Sequence, residues 1–179
     1  MFAGGYGYTV PPMVSLLTPV IGHWDAGYIG APTSQTYESA QRAVYFPIVI
    51  PAPCVARRVW WANGATVSGG ATIEVGIYAS LSYAPGAKLV SGSATQGSAS
   101  QVQFVDVTDT VLPPGVYWLA ILSSSGTNTT FLGALTNTSS DAGERFQEAS
   151  LGALPSTATP VEATVQTSYL FGFATTASP

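Results

Sequence analysis

The chain has 179 residues and a net charge of −4, with 46% hydrophobic residues, 8% charged residues, 19 glycines and 13 prolines. Disorder needs low hydrophobicity with high charge, and long helices need a stock of Lys, Glu and Arg that is missing, so both are excluded. Polarity comes instead from 39 serines and threonines. With the β-branched, aromatic and turn-forming residues they mark an all-β chain, long enough to bury one core without disulfides or metals.

Residues 1–40 are read as an extended N-terminal arm. The first eight are rich in Gly and aromatics, Pro11, Pro12 and Pro19 interrupt the apolar stretch that follows, and 27–39 is polar and turn-rich. No strand or helix of useful length is expected there. The apolar side chains of Phe2, Tyr6, Tyr8, Leu16, Leu17, Trp24 and Tyr28 cannot be buried by such a segment alone. They must pack on the following domain or order against a partner, and they are the candidate assembly residues. No secretory leader is expected, because the first basic residue is Arg42. The most apolar run, 44–56, is too short to cross a membrane and is broken by Pro47, Pro51 and Pro53. Synthesis in the cytoplasm is expected.

Residues 41–179 are read as a β-sandwich domain. Apolar segments of five to eight residues recur between Gly, Pro, Asn or Ser turns, predicting strands at 44–50, 55–62, 72–79, 88–94, 101–107, 115–123, 129–134 and 168–174. Eight strands suit a jelly roll. In the third, Ile73, Val75, Ile77 and Ala79 face one way, Glu74 and Tyr78 the other, with Gly76 between them. In the fifth, adjacent Phe104 and Val105 suggest a bulge or a strand buried on both faces. The stretch 116–122 is apolar throughout and must be central. Between 137 and 167 the pattern weakens, and 141–148 reads as either a short helix capped by Asp141 and Glu144 or a plain loop.

The usual chemistries fare badly. Five basic residues (Arg42, Arg57, Arg58, Lys88, Arg145) are too few for a nucleic-acid partner. One His and one Cys cannot make a zinc site, and Cys54 in an apolar run reads as a small buried residue. Asp106 and Asp109 are close enough in sequence to share a calcium ion, but such residues at a strand end more often form turns. A Ser-His-Asp hydrolase would need His23 and a nucleophile elbow that does not occur, and Gly4-Gly5-Tyr6-Gly7 lacks the Lys of a phosphate loop. A pair of glycosidase carboxylates is arithmetically possible among nine acids, in less chain and charge than such clefts use. The sequons at Asn128 and Asn137 are expected by chance in a chain this rich in hydroxyls. The expectation is a non-enzyme without cofactor or metal.

Surface recognition is left. Trp60 and Trp61 are adjacent on a strand and point to opposite faces, so one lies away from the main core. It is either packed beneath the arm or exposed, where it would stack on a sugar or anchor an interface. Arg57 and Arg58 beside them complete the candidate recognition set.

The run from Arg42 through Pro47, Pro51 and Pro53, then 55–61, Ile73-Glu-Val-Gly-Ile-Tyr-Ala79, Pro85-Gly86 with Leu89, and Val111-Leu-Pro-Pro-Gly-Val-Tyr-Trp-Leu-Ala120 resembles a β-sandwich of tailed-bacteriophage virion proteins. The likeness covers 42–122. It implies a jelly-roll-like antiparallel sandwich, commonly a homotrimer, that decorates capsids or forms head or tail fibres. The partners it implies are further copies of the chain and major capsid or tail proteins, in the virion. A tail-fibre or receptor-binding module that recognises host surface carbohydrate is the alternative. The low charge is independent of the resemblance and suits a subunit that gives much of its surface to neighbours.

Overall fold

The computed structural model describes residues 20–23, 33–37, 39–135, 146–163 and 167–175. In chain order the strands are β1 (Val20–His23), β2 (Thr33–Thr36), β3 (Ala43–Ile50), β4 (Cys54–Ala62), β5 (Thr72–Leu81), β6 (Ala84–Thr95) and β7 (Val102–Leu112). They continue with β8 (Gly115–Ser123), β9 (Thr130–Leu135), β10 (Phe146–Glu148), β11 (Val161–Glu162), β12 (Thr167–Tyr169) and β13 (Phe171–Ala174).

One sheet has the order β11-β10-β3-β8-β5-β6, a second β1-β13-β4-β7, and a third β12-β9-β2. All pairings are antiparallel, and the fold is an antiparallel β-sandwich. Three pairings nest: β5 with β6 innermost, β4 with β7 around it, β3 with β8 outermost. Members of successive pairs fall in opposite sheets, which is a hairpin rolled up in the manner of a jelly roll. The third sheet extends the second, because β12 and β13 are separated only by Leu170. Its N–H donates to Leu132 O of β9's sheet, while its carbonyl accepts from Ala62 N at the end of β4.

All eight expected strands are present, the last one broken at Leu170. Strand β8, apolar throughout, is flanked by β3 and β5 as a central strand. The pair Phe104 and Val105 places one side chain on each face, Val105 against the core and Phe104 outward, and the bulge lies further along the same strand, where 107–109 of β7 stand opposite Arg57 alone of β4. The arm expected at 1–40 is not wholly separate from the sandwich. Strand β1 pairs with β13, β2 pairs with β9, and Tyr37 lies in the core. In place of a helix or loop at 146–148, β10 pairs with β3; 141–145 lies outside the described residues.

The main core lies between the sheets. Val44, Phe46, Ile48 and Ile50 of β3, Ile73, Val75 and Ile77 of β5, and Leu119 and Ile121 of β8 meet Val59, Trp61, Phe171 and Phe173. Gly92 of β6 sets how closely the sheets approach. A Cβ there would stand 2.9 Å from Val107 Cγ1 and 3.0 Å from Val59 Cγ2, inside normal contact.

A second, smaller core covers the outer face of the six-stranded sheet. Ala43, Tyr45, Tyr78, Trp118, Ala120 and Leu122 are roofed by Leu154 and Ala158 from the segment 149–160. Irregular backbone needs partners for its polar groups, and here strand side chains provide them. Glu74 Oε2 accepts from Leu154 N at 2.8 Å, Lys88 Nζ donates to Leu154 O at 2.7 Å, and Tyr78 OH donates to Pro155 O at 2.7 Å. Gly76 leaves the space that Leu154 fills, its absent Cβ falling 2.9 Å from Leu154 Cδ1. At the start of the strap, Glu148 accepts from Tyr45 OH at 3.1 Å and from Thr159 Oγ1 at 2.9 Å.

Burial pushes both phenols well above the ordinary tyrosine range, Tyr45 further by its closeness to Tyr78 and Glu148, and Tyr78 by Glu74 and Glu148, against a lowering contribution from Tyr45. Their protons are therefore kept in the folded chain at a pH where the unfolded chain, with phenols at 10.0, releases them. This contribution is complete below pH 10 and is lost as the pH climbs above it, by about 1.4 kcal/mol per pH unit for each proton retained. Denaturant titrations at stepped alkaline pH are expected to show that fall, and Tyr45→Phe is expected to make it shallower. An unchanged slope in the variant would contradict the assignment.

Candidate functional site

The residues expected to recognise a surface are mostly inside the protein. Trp61 is fully buried in the main core, its indole N–H donating to Asn63 Oδ1 at 3.1 Å. Trp60 points to the opposite face as expected, but it is only 6% exposed, and its N–H donates to Phe173 O at 3.2 Å. Neither ring is exposed to stack on a sugar, so of the two alternatives for the outward indole, packed or exposed, the exposed one does not hold. Strand geometry put the two rings on opposite faces, and both rings are buried.

Arg58 is 7% exposed. Its guanidinium stands 5.2 Å from the centre of the Phe104 ring, and Nε lies 3.4 Å from Asp106 Oδ1. Arg57, half-exposed, approaches Asp109 Oδ2 at 3.6 Å. The two aspartates read as possible calcium ligands thus each face an arginine. Among the described residues no group of three His, Cys, Asp or Glu is placed to hold a metal ion. The assembly residues Phe2, Tyr6, Tyr8, Leu16, Leu17, Trp24 and Tyr28 lie outside the described residues.

The two ends of the sandwich differ in chemistry. At one end are the long connections 63–71, 96–101 and 124–129. They are tied by buried side-chain amides: Asn63 Oδ1 accepts from Gln96 Nε2 at 3.3 Å, Asn63 Nδ2 donates to Ser98 O at 3.0 Å, and Gln96 Oε1 accepts from Ser68 N at 2.9 Å. These amides satisfy each other and the loops, so that end is closed.

At the other end are three short connections, 51–53, 82–83 and 113–114, and the strand register brings them together. Gly115 pairs with Ile50, Leu112 with Cys54, and Tyr117 with Ala79 near the tip of the β5–β6 hairpin. The stretches 47–56, 78–87 and 110–118 that form this end contain no charged residue. Pro51, Pro53, Pro113 and Pro114 are exposed on its turns. Five large apolar side chains face water there: Val49 and Val116, which are register partners, with Val111, Leu81 and Tyr83. Leu81, Tyr83 and Val111 are 65%, 82% and 68% exposed. Cys54, also at this end, is half-buried against the core, and burial raises its thiol above the ordinary range. Alternation puts Val49 and Val116 on the outer face of the six-stranded sheet and Val111 on the outer face of the other, with Leu81 and Tyr83 at the hairpin tip, so these apolar side chains are spread around a charge-free end.

The hairpin tip adds backbone strain to this surface. Leu81 pairs with Ala84, leaving the two-residue loop Ser82–Tyr83, and both loop residues have positive φ, 49° and 66°. That is the pattern of a type I′ turn, which ordinarily takes Asn-Gly because side chains disfavour the left-handed region. Here the strained position holds a tyrosine and presents it to solvent. The sequence signal that would have found it is the absence of Gly and Asn between two strands joined so tightly.

No protein-family model and no characterised protein matches this chain.

The tip yields a stability prediction. A left-handed residue costs about 1–2 kcal/mol, glycine in its place costs about 0.5–1 kcal/mol in unfolded-chain entropy, and the exposed Tyr83 ring has little packing to lose. Tyr83→Gly is expected to raise the unfolding free energy by about 0.5–1 kcal/mol in urea titration. A lowered value would mean that the ring stabilises the fold.

Proposed function

We propose that this chain is a non-enzymatic structural subunit of a tailed-phage virion, a capsid decoration or head-fibre subunit that self-associates, with a trimer favoured, and is attached through its N-terminal segment. The observation that carries the reading is the charge-free, proline-rich end of the sandwich with Leu81, Tyr83 and Val111 exposed on it. A surface of that composition loses little by desolvation and gains by contact with protein. A strained turn holding an exposed aromatic adds support, since strain persists where a function uses it. The phage-like phrases contribute to the same surface: Pro51 and Pro53 after β3 and the Leu-Pro-Pro-Gly turn after β7 lie in two of its three connections. Its partners would be other copies of the chain and the major capsid or tail proteins.

The receptor-binding alternative relied on an indole at position 60 or 61 to meet host carbohydrate. With both buried, that site has no stacking surface.

Mass spectrometry of virions purified from the phage that carries the gene tests the reading. The chain is expected in the particle, and a folded Leu81→Lys, Val111→Lys, Val116→Lys variant is expected to be absent or strongly depleted. If the wild-type chain is made during infection but is missing from purified virions, the reading fails.

A further inference from the structure

We infer that the charge-free end of one protomer is covered by the N-terminal segment, residues 1–19, of a second copy of the same chain. The inference rests on reading the chain as a self-associating subunit and names what occupies its exposed end.

The first observation is where the segment joins the fold. Strand β1 pairs with β13, Val20 opposite Ala174 and His23 opposite Phe171. Through β13 these positions align with Arg58 and Trp61 of β4, whose first residue, Cys54, lies at the charge-free end. Strand β1 therefore runs away from that end, and the chain before Val20 joins it from that side. From the level of Arg58 to Cys54 is four residues of strand, about 13 Å.

The second observation is chemical match. Residues 1–19 contain no charged side chain, and they carry Phe2, Tyr6, Tyr8, Leu16 and Leu17. The short-turn end likewise offers no charge across its three stretches. Neither surface would leave a buried unpaired ion on meeting the other, and both would lose apolar area to water if left apart.

Reach allows a neighbour's end as well as the chain's own, and ring closure favours the neighbour's. Nineteen residues extend to about 60 Å, while a domain of this length has a radius of gyration of about 16 Å, so the segment can cross to an adjacent protomer. Among the described residues nothing covers Leu81, Tyr83 and Val111. A contact of segment to end is head-to-tail, and head-to-tail contacts close into rings when the rotation allows, which is the symmetry a trimer requires.

Disulfide trapping in the full chain tests this. In a Cys54→Ala background, Leu16→Cys is placed on one chain and Tyr83→Cys on another, and the two are mixed and mildly oxidised. Val161→Cys serves as the control, since Val161 is exposed but pairs through Gln147 to Val44, toward the other end of β3. The expected result is a reducible heterodimer at least about tenfold above the control, because docking raises the effective concentration of the two thiols. Leu81→Cys replaces Tyr83→Cys should the strained turn not tolerate cysteine, with the same result expected. A yield equal to the control overturns the inference. So does a chain carrying both cysteines that closes only on itself. Virions that contain the chain while trapping fails would sink this inference and leave the structural-subunit reading standing.

Discussion

Nested pairing of β3 with β8, β4 with β7 and β5 with β6 is the constraint on which the rest of the molecule depends. Because consecutive strands from β3 to β8 run in opposite directions, every second connection falls at the same end. Short turns collect at one end and long loops at the other. The long loops hold polar backbone that must be satisfied, and Asn63 and Gln96 do so from inside the fold. The short turns are fixed by proline and by a two-residue hairpin and need no such network, so their end is free to be apolar. Gly92 keeps the two sheets close enough for a single core.

Charge is spent sparingly on this frame. Glu74, Lys88 and Glu148 hold the strap over the outer face, and Arg57 and Arg58 face Asp109 and Asp106. Buried carboxylates can be kept only where donors meet them, and Glu74 has Ser91 Oγ at 2.8 Å as well as Leu154 N. These charged groups hold the sandwich's own segments together, and none of them falls within the three stretches of the short-turn end.

The strands of the sandwich were legible because period-two alternation and turn residues are local signals, as in Ile73, Val75 and Ile77 against Glu74 and Tyr78. What that pattern could not say is that Glu74 and Tyr78 are buried too. Their cover, 149–160, has no periodicity of its own and is held by side-chain bonds from residues some seventy to eighty positions earlier. A glutamate and a glycine on the same face as a tyrosine were the only trace of it. Strands β1 and β2 were missed because four residues each give no alternation to read, and they form only by adding to edges made by distant chain. The tryptophan pair shows the same limit: alternation assigned the faces correctly, and burial of both rings is a tertiary fact. The short-turn end was invisible until register joined three charge-free stretches that are separate in sequence.

The claim that this end is built to be covered by protein is tested most directly by the mass of the full-length species in solution, measured by sedimentation across a concentration series. The expected result is a discrete multiple of the 18.4 kDa chain that persists on dilution into the micromolar range. A monomer at every concentration, including those where the chain remains soluble and folded, would contradict it.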